Sequence, residues 1–428
     1  MKVSVFGLWH LGCVTAACAA ERYEVTGIDP NPANIEKLNR GEAPVFEPGL
    51  NELIQSGIGK KSLRFATDPA AVRDAEVVWV AFDTPVNDAD EADYGYVESQ
   101  IASLFPHLRD GAMVLISSQL PAGTTSRIES RYRAECPGGA ARFAYSPENL
   151  RLGKALSVFR NPGRIVVGAR TAADREKLAS FLAPFCGNIV WMSVESAEMT
   201  KHALNSFLAT SIVFMNEVAS LCEQAGADAK QVEQGLKTDE RIGPRAYLSP
   251  GSAFAGGTLA RDVAFLVNRS EQAKVAVPLL SSIRESNEFH KTWPRRRLCS
   301  MLGSVGGKRI ALLGLTYKPG TDTLRRSAAV ELAEWLLMEG ASVAAFDPAV
   351  QHVPLNIALC RSAVEALTGA DAAVVATEWP VFRELSRQDF VGNMRTAIII
   401  DANRFLEPRL DLAPPVRYTA VGKSGEAE

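Results

Sequence analysis

Short apolar runs alternate with longer segments of helical spacing along the first half of the chain. The runs at residues 3–6, 25–29, 76–82, 113–117, 142–145, 165–168 and 189–192 read as strands. Alternation of this kind signals βαβ units and a parallel sheet. Between 196 and 226 the pattern changes to one long helix. There Ala197, Met199, Ala203, Leu204, Phe207, Leu208, Ile212, Met215, Val218 and Leu221 recur at helical spacing. A Gly/Pro/Ser-rich loop, 243–257, follows. A second αβ series opens at Arg309-Ile310-Ala311-Leu312-Leu313-Gly314 and continues with strands at 342–347, 372–377 and 397–401. The polar tail 422–428 is expected to be disordered. The pattern predicts an α/β protein: two Rossmann-like, doubly wound parallel-sheet domains joined by a long central helix. The expected divisions are 1–195, 196–295 and 296–428.

The first twenty residues admit two readings. Met1-Lys2 before a mostly apolar stretch imitates an export signal. The other reading is a strand, a tight turn and a helix of small residues. Gly7, Trp9, His10 and Gly12 interrupt a plain apolar core, and a strand with an acidic end follows, so the second reading is preferred. No run reaches the ~18 apolar residues of a spanning helix. A chain of 428 residues argues for two or three domains, and 47% hydrophobic with 22% charged residues suits large soluble cores. A net charge of -3, from 46 basic and 49 acidic residues, excludes a strongly electrostatic nucleic-acid binder. The seven cysteines (13, 18, 136, 186, 222, 299, 360) are odd in number, with no Cys-x-x-Cys. They indicate neither a disulfide framework nor a zinc site, and read as reduced thiols of a cytoplasmic protein with no metal.

Gly7-Leu8-Trp9-His10-Leu11-Gly12 sits where a Gly-x-Gly-x-x-Gly fingerprint belongs, directly after the first strand. The first glycine makes the turn and the third lets the helix pack on the sheet. The middle glycine, which admits the pyrophosphate to the backbone, is Trp9. Asp29 closes the second strand, placed to accept from a ribose 2′-hydroxyl, which favours NAD over a 2′-phosphorylated cofactor. The competing reading is a Rossmann-like layer that no longer binds a nucleotide.

Further motifs run the length of the chain: Thr84-Pro85, Ser118-Gln119-Leu120-Pro121-Ala122-Gly123-Thr124-Thr125, Ser146-Pro147-Glu148-Asn149-Leu150-Arg151 and Ala197-Glu198-Met199-Thr200-Lys201-His202-Ala203-Leu204-Asn205. Then come Arg241-Ile242-Gly243, Phe254-Ala255-Gly256-Gly257-Thr258-Leu259-Ala260-Arg261-Asp262, Gly314-Leu315-Thr316-Tyr317-Lys318-Pro319-Gly320-Thr321-Asp322 and Thr377-Glu378-Trp379. In this order they make the chain resemble the UDP-glucose/GDP-mannose dehydrogenase family, whose members oxidise the C6 primary alcohol of a nucleotide sugar twice, to a carboxylate, with two NAD. The resemblance implies cofactor contacts at Gly7, Trp9, His10, Leu11, Gly12, Asp29, Thr84 and Thr124. It implies that Lys201 and Asn205 stabilise the oxyanion at C6, and that Asp262 shares a water or proton with Lys201. Thr124 and Glu148 would hold the hydrolytic water. Leu150, Phe254, Gly257, Lys318 and Arg325 would contact the substrate together with Glu148, Lys201 and Asn205, and the central helix would form a homodimer. Residue by residue, blander readings compete: a solvated helix face for Lys201 and Asn205, a helix cap for Thr124, an ion pair for Asp262 beside Arg261. Residues 324–327 have a basic helix start without a ligand as their lesser reading, and the central helix has an intramolecular core element as its alternative.

The resemblance breaks at Thr258. The family's loop reads Phe-Gly-Gly-Ser-Cys-Phe-Pro-Lys-Asp, and its cysteine adds to the aldehyde to give a thiohemiacetal and then a thioester. Threonine stands there instead, and no cysteine lies in this loop. Leu152 replaces a frequent family glutamate, Arg261 replaces the motif lysine, and the loop after Arg241 is one residue longer. These losses fall on the second oxidation. The expectation is an NAD-dependent oxidation of a UDP-glucose-like sugar that stops after two electrons. A four-electron dehydrogenase acting on a hydrated aldehyde, an NAD-using epimerase and a silent nucleotide-sugar binder are the alternatives.

Overall fold

The computed structural model describes residues 1–85, 92–148, 150–255 and 257–423. Asn149 and Gly256 of the motifs, and tail residues 424–428, lie outside the described residues. The chain forms two compact units, 1–203 and 204–428, whose division falls inside the long central helix Val194–Ala225.

In the first unit β1 (Lys2–Phe6), β2 (Glu24–Ile28), β3 (Leu63–Ala66), β4 (Val77–Val80), β5 (Met113–Ile116), β6 (Arg142–Tyr145), β7 (Ile165–Gly168) and β8 (Ile189–Met192) form one sheet in the order β3-β2-β1-β4-β5-β6-β7-β8. The first six strands in chain order are parallel, and all but the edge strand β3 are largely buried, which explains their mostly apolar runs. The sheet is not parallel throughout. β7 meets β6 antiparallel, Tyr145 opposite Gly168, and β8 follows β7. The connecting segment is tied to the connection that follows β2, because Gly153 and Ala155 donate their N–H groups to buried Glu47 at 2.8 Å each. Residues 2–19, the stretch that imitates an export signal, are β1 and the helix His10–Ala19, whose small side chains Cys13, Ala16, Ala17, Cys18 and Ala19 are all buried in the core of this unit.

The second unit carries a fully parallel sheet of β9 (Arg309–Leu313), β10 (Ser342–Phe346), β11 (Ala358–Leu359), β12 (Ala372–Val375), β13 (Ile398–Ile400) and β14 (Arg417–Thr419), ordered β11-β10-β9-β12-β13-β14. Its first turn repeats that of the first unit nearly atom for atom. Gly7 (φ +92°) and Gly314 (φ +96°) follow β1 and β9. Their N–H groups donate to Ile28 O at 2.9 Å and Phe346 O at 2.8 Å. The next N–H in each case donates to a carboxylate after the second strand: Leu8 to Asp29 Oδ2 at 2.6 Å, Leu315 to Asp347 Oδ2 at 2.7 Å. A Cβ at either glycine would fall inside a neighbour, 2.6 Å from the Phe82 ring or 2.4 Å from Thr377 Cβ, so only glycine closes the turn.

The central helix is longer by a residue or two than its sequence pattern suggests, and its faces divide differently. Ala197, Ala209, Met215 and Ala219 are fully buried, whereas Phe207, Phe214 and Leu221 are exposed. By length and composition it is the one described helix that could cross a membrane. Its buried polar side chains Glu198, Lys201, His202, Asn205 and Asn216 each bond within the fold, which marks a core helix.

Candidate functional site

The turn after β1 has the geometry a dinucleotide requires. A Cβ at Gly12 would sit 1.7 Å from Gly7 O, so this glycine lets the helix start press onto the turn. Asp29, at the end of β2, clasps the turn through Leu8 and also accepts from Asn31 N at 2.9 Å. Trp9, in the middle-glycine position, has φ -103° and ψ -142°, and its indole is 47% exposed, so it stands off the turn without distorting it. Thr84 Oγ1 donates to Gln119 O at 2.7 Å, tying the loop after β4 to the loop after β5. Leu11 is buried at the helix start. These residues fit NAD. His10 Nε2 lies 2.9 Å from Glu47 Oε2, and Glu47 is the same carboxylate that pins Gly153 and Ala155. Glu47 was not singled out in the sequence; it joins the cofactor turn to the segment that follows Glu148 and Leu150.

Lys201 and Glu148 come together within the first unit. The Lys201 ammonium donates to Glu148 O at 2.7 Å and to Glu148 Oε1 at 3.2 Å, while Glu148 Oε2 accepts from Leu150 N at 2.7 Å. Both carboxylate oxygens of Glu148 are therefore engaged. Thr124 is buried, and its hydroxyl accepts from Arg127 at 2.9 Å; among the described residues no hydrogen bond links it to Glu148. The motif loop around Thr124 is anchored by Glu198, a carboxylate with no exposed surface. It accepts from Gly123 N at 2.6 Å, Thr125 N at 2.8 Å and Thr125 Oγ1 at 2.6 Å, capping the helix Thr124–Glu135 from one turn before Lys201.

In the second unit Asn205 Nδ2 donates to Asp262 Oδ2 at 2.5 Å, and both side chains are buried. Thr258 opens the helix Thr258–Ala273, so Asp262 lies one turn beyond it on the same face. The Thr258 side chain is exposed, and no hydrogen bond to it is found among the described residues. The loop before it is fixed at four points. Gly251 N donates to Asn216 at 3.0 Å, and Ser252 N to Asn403 at 2.7 Å. Asn287 both accepts from Phe254 N and donates to Phe254 O, at 3.0 and 2.9 Å. Burial holds His290 below the ordinary histidine value, and its neutral Nε2–H donates to Gly251 O at 2.8 Å. Gly257 has φ +120°, and Arg326 Nη1 lies 3.6 Å from where its Cβ would be. Arg326, at φ +61°, is thus the arginine brought to this loop, whereas Arg325 is exposed. The Lys318 ammonium lies 5.4 Å from the Tyr317 ring centroid.

Cys13, Cys18, Cys222 and Cys360 are poorly set up for nucleophilic work. Burial pushes the Cys13 thiol far up and the Cys18 thiol up to about 12. It raises Cys222 and Cys360 as well, the opposite of what a thiolate needs. A hollow of about 1020 Å³ is lined by Lys2, Arg22, Glu24 and Lys60, among others. Lys2 and Glu24 open β1 and β2, so it lies at the N-terminal ends of these strands, the wrong edge for ligands of an open parallel sheet.

Three family models match in succession: the NAD binding domain of the UDP-glucose/GDP-mannose dehydrogenase family at residues 1–186, its central domain at 195–289 and its UDP binding domain at 311–408. A UDP-glucose 6-dehydrogenase of Pseudomonas aeruginosa is 34% identical over 99% of this chain and 98% of its own length. One of Rickettsia typhi is 33% identical over 99% of each chain. Among solved structures, a UDP-glucose dehydrogenase from Pyrobaculum islandicum superposes with a TM-score of 0.87 at 28% identity, covering 99% of this chain and 98% of that one.

Replacing Glu198 tests its anchoring role. Glu198→Ala strands three donors in a dry site, and the expected loss is about 3 kcal/mol or more in urea unfolding. A loss below about 1 kcal/mol would show that the Thr124 loop holds itself.

Proposed function

Because the chain belongs to the UDP-glucose/GDP-mannose dehydrogenase family, and is an NAD-dependent oxidoreductase acting on a CH–OH group of a nucleotide sugar, we propose that it oxidises the C6 primary alcohol of a UDP-glucose-like sugar by two electrons and releases the aldehyde. Residues 296–428, with Lys318 and Arg325, take the nucleotide end of the substrate, and residues 1–195 take the cofactor. The Lys201 ammonium, oriented by Glu148, and the Asn205 amide, oriented by Asp262, stabilise the oxyanion that develops as the alcohol loses its proton. Asp262 takes that proton through water. NAD held at the turn of Gly7, Gly12 and Asp29 would supply the hydride acceptor.

The observation that carries the two-electron reading is Thr258 at the position where the resemblance expects a thiol. Its hydroxyl has no hydrogen-bonded base among the described residues, and an unactivated alcohol of high pKa is a poor nucleophile toward an aldehyde. Glu148, offered as a water-activating group by the resemblance, has both oxygens committed to Lys201 and Leu150. Both features disfavour the acid-forming half of the reaction. The seven free cysteines support a reducing, cytoplasmic setting. Phe207, Phe214 and Leu221, exposed by 67%, 49% and 70%, recur every seven residues on the central helix. They form one apolar stripe that supports a homodimer through this helix.

Incubation with NAD and a panel of UDP and GDP sugars, with hydroxylamine in the quench, should yield the oxime of a C6 aldehyde by mass spectrometry. A uronate would contradict the reading, and so would an epimerised sugar without net NADH. Sedimentation should find a dimer that Phe214→Glu with Leu221→Lys converts to monomer; a wild-type monomer at micromolar concentration would remove the interface.

A further inference from the structure

The start of the dinucleotide helix already faces an anion. The residue preceding the helix is Trp9, whose side chain makes no capping bond, so the first N–H groups need an acceptor from elsewhere. Leu11 N donates to Asp83 Oδ2 at 3.2 Å, across 72 residues of sequence. The backbone beside Asp83 is fixed. Ala81 N donates to Phe6 O at 2.8 Å, and the Phe82 ring packs edge-on to Phe6 at 4.9 Å, over the glycine turn. The Asp83 carboxylate therefore stands at the positive end of this helix by construction. The neighbouring N–H groups of the turn are committed too, Gly7 to Ile28 O and Leu8 to Asp29. Two carboxylates, Asp29 and Asp83, thus border the short stretch of backbone onto which a dinucleotide lowers its pyrophosphate.

We propose that Asp83 competes with the pyrophosphate of NAD for the Leu11 N–H and so sets the affinity for the cofactor. The inference rests on the reading of this turn as the NAD site. A pyrophosphate seated at the helix start meets a like charge and an occupied donor. Binding then exchanges one hydrogen bond for another, and Asp83 must turn into solvent, toward which it is already exposed. Asp83 accordingly keeps the helix capped while weakening the hold on the cofactor's charged centre. The adenosine and nicotinamide ends of the cofactor do not meet it.

The test separates charge from capping. Asparagine caps helices about as well as aspartate, so Asp83→Asn keeps the acceptor and removes the charge. Calorimetric Kd values for NADH, ADP-ribose and adenosine are measured on the wild type and the variant, with thermal unfolding run alongside; Asp83→Ser serves if Asn lowers stability. The expected result is NADH and ADP-ribose bound about five-fold more tightly by the variant, with adenosine unchanged. Equal or weaker binding of NADH by the variant overturns the competition, as does the same gain for adenosine. A wild type and variant that bind neither NADH nor ADP-ribose would instead overturn the cofactor reading, and the competition with it.

Discussion

A parallel sheet exposes a row of strand ends, and the chain must leave each one through a turn tight enough to start a helix or loop beside it. In both units that turn is closed by a glycine in a conformation closed to other residues, and clasped by a carboxylate from the next strand. The same clasp has different consequences in the two places. Asp29 holds its turn through Leu8 and Asn31. Asp347 also takes Thr316 N and Oγ1, at 3.0 and 3.1 Å, and Trp379 Nε1 at 2.9 Å. Its Oδ1 accepts from Ala349 N at 2.9 Å, as Asp29 Oδ1 accepts from Asn31 N. The second turn thus differs in the number of donors gathered on Oδ2.

The side chains proposed for catalysis depend on similar indirect support. Lys201 is held by Glu148, Asn205 by Asp262, and the loop ahead of Thr258 by Asn216, Asn287, His290 and Asn403. A loop pinned at so many backbone atoms loses little entropy on meeting a substrate. Such pinning suits binding and orientation. It does nothing to make a threonine hydroxyl nucleophilic, which is why the proposed chemistry ends where a covalent step would begin.

Much of this was legible in the sequence, for physical reasons. Strands buried on both faces are mostly apolar runs, and β1, β2, β4 to β7, β9, β10, β12 and β13 stand out as such, while the edge strand β8 stands out by its apolar residues alone. β3, β11 and β14 lie at or next to sheet edges, are at most four residues long and include exposed positions, so they leave no such trace. Helical spacing located the central helix but left open whether Phe207 and Leu221 face a core or solvent, because periodicity cannot tell a core stripe from an exposed one. The reversed β7 was missed because an apolar run carries no sign of strand direction. Glu47 and Glu198 were themselves invisible: each grips backbone N–H groups, which carry no side-chain signal. Lys201, Asn205 and Asp262 were singled out through motif order alone; in the structure Lys201 bonds Glu148, and Asn205 bonds Asp262.

The central claim is that the first oxidation is retained and the covalent second one is not. Its most direct test is the number of NADH formed per nucleotide sugar consumed, followed to completion in the wild type and in Thr258→Cys. The account predicts one for the wild type, rising toward two when a thiol is restored. A ratio of two in the wild type, with a uronate as the product, would contradict it.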